Sequence, residues 1–65
     1  MKLVLNGEDR EVVSTTVSAL IEEIGLANTR VAVELNRTIV RRAAWPETPV
    51  KDGDTVEIVH FVGGG

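Results

Sequence analysis

Hydrophobic and polar residues alternate at the start of the chain, which is the pattern of a half-buried β-strand. Leu3 and Leu5 share one face of this strand. Asn6-Gly7 follows, and because both residues tolerate a positive φ, we expect a tight turn there. Glu8-Asp9 then lies in the loop or at the start of a return strand that includes residues 10–13. The opening pattern therefore predicts a β-hairpin.

A helical period replaces the alternation further along the chain. Thr16 is the expected N-cap, because its hydroxyl can accept a hydrogen bond from a free N–H of the first turn. Gly25 suits the left-handed position beyond the helix, and Leu26 would contact Ile21 as in a Schellman motif. The pattern predicts one short amphipathic helix, whose apolar residues at i, i+3, i+4 and i+7 are Val17, Leu20, Ile21 and Ile24.

Two glutamates, Glu22 and Glu23, fall in the last turn of this helix. The helix dipole disfavours an anion there by about 0.3–1 kcal/mol, so local helix stability does not account for them. A contact with a basic partner is one interpretation. We expect instead a solvated acidic face, which is the usual environment of such side chains.

The second half of the chain again has the alternation of strands. Residues 31–35 describe a strand with one buried face, and Asn36-Arg37 would turn residues 38–40 antiparallel to it. Residues 41–48 have no period, and prolines there favour an extended or turned backbone, with Trp45 filling one end of the core. After a turn, residues 55–62 form the longest predicted strand.

One helix can cover only one face of the resulting sheet. Val59 and Phe61 therefore fall on the uncovered face, where Val4 and Ala32 join them, and with Val62 they form a candidate docking surface. Scattered exposed apolar residues are the alternative interpretation. Alternation places the following residues on the covered face: Leu3, Leu5, Val31, Val33, Leu35, Val56 and Ile58.

Length and composition restrict the possible functions. A chain of 65 residues makes one domain with a small core, and the absence of cysteine excludes disulfides and thiolate metal sites. The net charge of −3 disfavours nucleic-acid binding and favours a partner with a basic surface. No apolar run approaches the roughly 20 residues of a membrane span. We expect a soluble, unprocessed cytoplasmic protein without nucleic-acid or membrane partners.

Few residues indicate catalysis or metal binding. His60 is the only histidine, and alternation places it on the face of Ile58, so we expect a partly buried or strand-end residue rather than a general base. Asp52 and Asp54 flank Gly53 and fit a turn better than a cation site. We predict no catalytic residue, no metal and no stably bound cofactor.

The chain as given ends in three glycines, Gly63, Gly64 and Gly65, directly after the long strand. Glycine lacks a Cβ, so such a tail can enter a passage too narrow for other residues. Three extended residues reach only about 10 Å, which requires a partner's reactive site close to the folded domain. A frayed end is the alternative interpretation.

Several of these features together resemble the ThiS family of ubiquitin-like sulfur carriers. They are Asn36 followed by Ile39-Val40, the Trp45 loop, the Asp52-Gly53-Asp54 turn, and residues 60–65 with their terminal diglycine. The resemblance covers nearly the whole chain. It implies an α+β, β-grasp fold with a mixed sheet of four to five strands over one main helix. The domain would span residues 1–62, with a flexible tail at 63–65.

The resemblance also implies a function without catalysis by the chain itself. Gly65 would be adenylated with ATP by a ThiF-type activating enzyme and converted to a thiocarboxylate, with Gly63 and Gly64 giving access. ATP would be bound by that enzyme, and sulfur would come from a donor such as a cysteine desulfurase. A ThiG-type thiazole synthase would then receive the sulfur for thiamin synthesis.

Three alternatives remain open at this point. A MoaD-like carrier for molybdopterin or another sulfur pathway would use the same terminal chemistry. A ubiquitin-like modifier would instead join Gly65 to a lysine through an isopeptide bond. A plain interaction module would have inert glycines, and it would bind its partner fully after Gly64 and Gly65 are deleted.

Overall fold

The computed structural model describes residues 1–61. Val62 and the glycines at 63–65, and with them the predicted domain boundary after residue 62, lie outside the described residues. Six regular elements and one 3₁₀ helix follow one another in chain order: β1 (Lys2–Leu5), β2 (Glu8–Glu11), α1 (Val17–Glu23), β3 (Val31–Leu35), β4 (Thr38–Val40), the 3₁₀ helix (Arg42–Glu47) and β5 (Thr55–His60).

The five strands form one mixed sheet in the order β2-β1-β5-β3-β4. β5 is the central strand, parallel to β1 and antiparallel to β3, while both hairpins are antiparallel. This arrangement confirms the predicted α+β class with a mixed sheet and one main helix. No helix within residues 1–61 has the length and hydropathy needed to cross a membrane.

The first hairpin turns at Asn6 and Gly7, whose φ values are 50° and 85°. Because this turn has only two residues, Leu5 lies opposite Glu8 and the return strand begins at once. Of the two predicted positions for Glu8-Asp9, the start of the return strand is therefore the correct one, but the strand ends at Glu11 and not at residue 13. Its four residues, Glu8–Glu11, are all exposed, so they give no hydrophobic alternation from which the strand could be located.

The predicted limits of helix α1 are confirmed. Thr16 caps its N-terminus, since the Ala19 N–H donates to the Thr16 hydroxyl oxygen at 3.1 Å. At the other end Gly25 has a φ of 83°. The Leu26 N–H donates to the carbonyl oxygen of Ile21 at 2.9 Å, which is the long hydrogen bond of a Schellman motif.

The core lies between α1 with the 3₁₀ helix and one face of the sheet. It contains most of the residues that alternation predicted, although Leu35 is only partly buried. Val12 and Val50 are also buried, and neither belongs to a helix or strand. The buried hydrophobic residues are Leu3, Leu5, Val12, Val17, Leu20, Ile21, Val31, Val33, Trp45, Val50, Val56 and Ile58.

The segment predicted to be extended or turned is instead the 3₁₀ helix, Arg42–Glu47, which includes Pro46. The expectation rested on the preference of a residue before proline for extended backbone. Burial overrides that preference at Trp45, whose side chain is only 6% exposed and whose indole N–H donates to the Val40 carbonyl at 2.9 Å. Trp45 therefore packs into the core as predicted.

Candidate docking face

The sheet has a second face that points away from α1, which we call the outer face. Cross-strand partners lie on the same face, so the register identifies its residues. In β5, Val59 lies opposite Ala32 of β3, and Glu57 lies opposite Glu34. Glu34 lies in turn opposite Ile39 of β4. The alternate residues of these strands face the core.

Apolar side chains cluster on the part of the outer face that β3, β4 and the end of β5 form. Ile39 is 70% exposed, Val59 58% and Phe61 62%, which confirms the predicted exposure of the latter two. We call these three residues together with Ala32 the outer patch. Ile39 was missed at the sequence level, although alternation with the inward-facing Val40 would have identified it. A docking role for the outer patch stays a prediction, as does the part assigned to Val62.

Phe61 belongs to this face even though β5 ends at His60. Its N–H donates to the carbonyl oxygen of Arg30 at 3.0 Å, which continues the β3–β5 register by one residue. Phe61 also lines a shallow concavity of about 230 Å³ together with Ile39 and Arg41. The outer patch therefore extends to the last described residue.

Two turn asparagines hold β5 in place from either side. Asn6 accepts a hydrogen bond from the Ile58 N–H through its side-chain oxygen at 2.7 Å. Asn36, with a φ of 51°, accepts one from the Thr55 N–H at 2.9 Å. The sequence indicated both residues only as turn formers. Their side chains additionally position the strand that leads to the outer patch.

Both aspartates near β5 accept hydrogen bonds from backbone N–H groups. The Lys2 N–H donates to Asp52 Oδ1 at 2.8 Å, and the Lys51 N–H donates to Asp54 Oδ2 at 2.8 Å. The predicted turn is confirmed by the Lys51–Asp54 bond and by the Asp54 N–H, which donates to the Lys51 carbonyl oxygen at 3.0 Å, while Asp52 joins the turn to β1. His60 is exposed at the end of β5, opposite Val31, so it is a strand-end residue and not a partly buried one.

Glu22 and Glu23 are both exposed on α1, as expected, and Glu23 in addition binds the loop that precedes the helix. Its carboxylate accepts hydrogen bonds from the backbone N–H of Val13 at 3.2 Å, from the backbone N–H of Ser14 at 3.1 Å, and from the Ser14 hydroxyl. The Ser14 hydroxyl, more than the backbone groups, holds the pKa of Glu23 below its usual value. Glu23 thus fixes the loop between β2 and α1.

Comparison with known proteins identifies close relatives of this domain. Residues 3–65 match the model of the ThiS family. The sulfur carrier protein ThiS of Bacillus subtilis is 40% identical, with 97% of this chain and 98% of that protein covered. A crystal structure of the thiamine biosynthesis protein ThiS from Geobacter metallireducens, 39% identical, superposes with a TM-score of 0.86 over 100% of both chains.

A longer relative contains a similar segment. A thiazole synthase of Paramagnetospirillum magneticum is 50% identical over 66 aligned residues, which include 100% of this chain. The chain spans only 20% of the length of that protein.

Proposed function

The chain belongs to the ThiS family, and on that premise we propose that it is a sulfur carrier protein of thiamin biosynthesis. Gly65 would carry the sulfur as a C-terminal thiocarboxylate, and the folded domain would serve recognition. The chain itself would act as a co-substrate of partner enzymes in the cytoplasm, without catalysing a step.

The first step would activate the α-carboxylate of Gly65. This group has a reference pKa of about 3.3–3.7, so at neutral pH it is an anion that resists nucleophiles. One carboxylate oxygen would attack the α-phosphorus of ATP, forming a P–O bond as pyrophosphate leaves. The product is an acyl adenylate, in which AMP is the leaving group. A ThiF-type enzyme would bind the ATP, because this chain has no phosphate-binding glycine motif.

The second step would bring in sulfur from another protein, since this chain has no cysteine. The terminal sulfur of a persulfide, for example on a cysteine desulfurase, would attack the acyl carbon, and AMP would leave with the electrons of the C–O bond. A thiol would then reduce the S–S bond that joins the two proteins. The thiocarboxylate released in this way is the sulfur source that we propose for thiazole synthase.

The position of β5 is the observation that carries the proposal. β5 is the central strand, paired on both sides and held by two side-chain hydrogen bonds. The reactive residue would thus follow a fixed strand by only a few residues. Ordering each tail residue costs about 1–2 kcal/mol of backbone entropy, so the folded domain must supply most of the affinity. The exposed outer patch beside the end of β5 is suited to this role.

The thiazole synthase of Paramagnetospirillum magneticum supports the choice of acceptor. It contains a segment 50% identical to this chain within a protein about five times as long. A carrier and its acceptor that act together are expected to be found joined in some organisms. We therefore propose thiazole synthase as the acceptor of sulfur from Gly65.

Reconstitution tests the proposed chemistry. The full chain is incubated with the ThiF-type enzyme of the same organism, ATP, cysteine and a cysteine desulfurase, and its intact mass is measured. We expect a mass gain equal to the exchange of one oxygen for sulfur. A variant that lacks Gly65 should have the same circular dichroism spectrum as the full chain, and its mass should not increase. Sulfur incorporation into that variant would refute the role of Gly65.

Capture of partners separates the related alternatives. The immobilised full chain should retain thiazole synthase from an extract of its own cells and should stimulate thiazole formation. Retention of a molybdopterin synthase subunit instead would assign the chain to the MoaD-like alternative. A covalent conjugate between Gly65 and a lysine would identify a ubiquitin-like modifier.

A further inference from the structure

The side chain of Asn6 takes the place of a backbone group in the sheet. β1 pairs with β5 at only two positions, the last of which joins Leu5 to Val56. Beyond them the chain turns away toward β2, yet the Asn6 N–H still donates to the Val56 carbonyl oxygen at 2.9 Å. The Ile58 N–H donates to Asn6 Oδ1 at 2.7 Å. The amide of Asn6 therefore continues the parallel pairing toward the end of β5.

The residue after Asn6 is Gly7, and an asparagine followed by glycine is chemically labile. The backbone nitrogen after an asparagine can attack the side-chain carbon Cγ, expel ammonia and close a five-membered succinimide ring, which makes asparagine one of the thermolabile residues. Glycine hinders this attack least, because it has no Cβ beside the attacking nitrogen. Gly7 is exposed, and within residues 1–61 its N–H donates to no other group.

The second hairpin provides an internal comparison. Asn36 has a φ of 51° where Asn6 has 50°, and each begins a two-residue turn. The side chain of Asn36 also accepts a hydrogen bond from β5, through the Thr55 N–H at 2.9 Å. The residue that follows is the difference, since Arg37 in one turn corresponds to Gly7 in the other. The side chain of arginine hinders the attack that glycine permits.

Two further positions are less reactive on chemical grounds. Asn28 precedes Thr29, whose branched side chain crowds the backbone nitrogen. Asp52 precedes Gly53, but a carboxylate is a poorer electrophile than an amide. The Gly53 N–H is also engaged, since it donates to a carbonyl oxygen of β1 at 2.8 Å. Among these positions, Asn6 is the one that chemistry favours.

The fold opposes the reaction at Asn6. The hydrogen bond from the Ile58 N–H holds the side chain over β5, and the turn fixes the backbone φ at 50°. Both must change before the ring can close, because Cγ has to come within bonding distance of the Gly7 nitrogen. Reaction therefore requires a local opening of the turn, in which the bond to Ile58 is broken.

We propose that Asn6 is a site of spontaneous deamidation, and that its hydrogen bond to β5 controls the rate. The Gly7 nitrogen forms the new C–N bond, and the Asn6 amide nitrogen leaves as ammonia, which takes up the proton of the Gly7 N–H. Water then opens the ring at either carbonyl. One product is aspartate. The other is isoaspartate, in which the main chain runs through the former side chain.

The two products affect β5 differently. Aspartate keeps an oxygen in the place of Oδ1, so it can still accept a hydrogen bond from the Ile58 N–H. Isoaspartate adds one carbon to the main chain of a two-residue turn, which disrupts the pairing of Leu5 with Glu8 and the bond to Ile58. β5 leads to Gly65, so the isoaspartate form should be a poorer substrate for the activating enzyme. This last consequence rests on the proposed function.

Incubation of the full chain at mildly alkaline pH tests the site. Peptide mass spectrometry follows the exchange of amide for acid at each asparagine, and an isoaspartate methyltransferase with a radiolabelled methyl donor detects isoaspartate. We expect modification at Asn6 that is at least about tenfold faster in urea than in the folded chain, because only the open turn reacts. Asn28 and Asn36 should stay unmodified over the same period.

Two variants exchange the residues that follow the turn asparagines. Gly7→Arg gives the first hairpin the Asn-Arg turn of the second, where Arg37 already adopts a φ of 71°. A Cβ added at Gly7 meets no atom within 4 Å. This variant should suppress modification of Asn6, and Arg37→Gly should make Asn36 reactive. Both are compared with the wild type in urea, so that the stability of the variants does not affect the result.

Three results would overturn the proposal. One is an Asn6 that stays unmodified in urea, and another is modification of Asn28 or Asn36 before Asn6 in the wild type. Equal rates at Asn6 in the folded chain and in urea would exclude control by the bond to Ile58.

The effect on function is measured on the isoaspartate form after chromatographic separation, with Asn6→Asp as the control for the added charge. The isoaspartate form should melt at a lower temperature than Asn6→Asp and acquire sulfur more slowly. Equal rates of sulfur acquisition would reject the effect on β5 and leave the proposed function intact. An unmodified chain that acquires no sulfur would refute the proposed function and leave the deamidation site intact.

Discussion

Ile58 and Val59 are neighbours in the central strand, yet Ile58 is 7% exposed and Val59 58%. Successive residues of a strand point to opposite faces, so one side chain packs against the helix layer and the other contacts solvent. One set of residues in this strand therefore packs in the core, and the alternate set stays exposed and available for contacts with a partner. The covered face accounts for stability, and the outer face is the surface that we propose for recognition.

Truncation of each of the two neighbours tests this difference between the faces and has the largest expected effect. Ile58→Ala should lower the free energy of unfolding by about 2–5 kcal/mol, because it removes buried methyl groups and leaves a cavity. Val59→Ala should change it by no more than about 0.5 kcal/mol. Urea unfolding followed by circular dichroism measures both. Similar losses in the two variants would mean that the outer face is packed in solution.

The outer patch is expected to act in the opposite way, on binding more than on stability. Phe61→Asp should weaken binding to the activating enzyme by about 2 kcal/mol, because it places a charge in an apolar contact. The isolated variant should still unfold at nearly the wild-type urea concentration. Val13→Ser alters another exposed apolar residue, 87% exposed and outside the outer patch, and should leave binding unchanged. Equal binding by the wild type, Phe61→Asp and Val13→Ser would exclude the outer patch from the interface.

Asn36 contributes to both faces by holding β5, and two substitutions separate its effects. Asn36→Ala should cost about 2 kcal/mol, through the strain of a positive φ and the loss of the hydrogen bond to the Thr55 N–H. Asn36→Gly relieves the strain of the positive φ but does not restore the hydrogen bond, so it should lower the free energy of unfolding by less than Asn36→Ala. Thermal unfolding compares them. A glycine variant as unstable as the alanine variant would assign the whole effect to the lost hydrogen bond.

Glu23 gives the smallest expected effect, which appears only at acidic pH. Because the folded state lowers its pKa, the carboxylate stabilises the fold above the ordinary glutamate pKa of about 4.3, and this contribution disappears as the pH falls through the lower folded value. Glu23→Gln should therefore make the stability less dependent on pH in that range. Glu22→Gln is the control, and melting curves from pH 7 to pH 3 measure the difference. Parallel curves for wild type and Glu23→Gln would contradict the assignment.

Local signals explain what the sequence could predict about the fold. Alternation in β1, β3 and β5, the Thr16 cap and the Gly25 stop each depend on residues close in the chain, and the structure confirms them. The 3₁₀ helix escaped prediction because the burial of Trp45 outweighs the preference of the residue before proline. The return strand β2 was predicted, but its end was placed two residues too late, because an all-polar edge strand has no alternation from which its limits can be located.

The candidate site was predictable only in part, because some of its features depend on local patterns and others on the pairing of distant strands. Exposure of Val59 and Phe61 follows from alternation in a single strand. The apposition of Glu34 with Glu57, and of Glu34 with Ile39, depends on which strands are neighbours and in which register. These quantities are set by long-range pairing, which no local window of the sequence contains.

The intact mass of the protein purified from its own cells tests the central claim most directly. We expect a chain that ends at Gly65, a fraction of which has one oxygen replaced by sulfur and loses the extra mass after alkaline hydrolysis. A chain that continues past Gly65 in every molecule, with no thiocarboxylate, would contradict it.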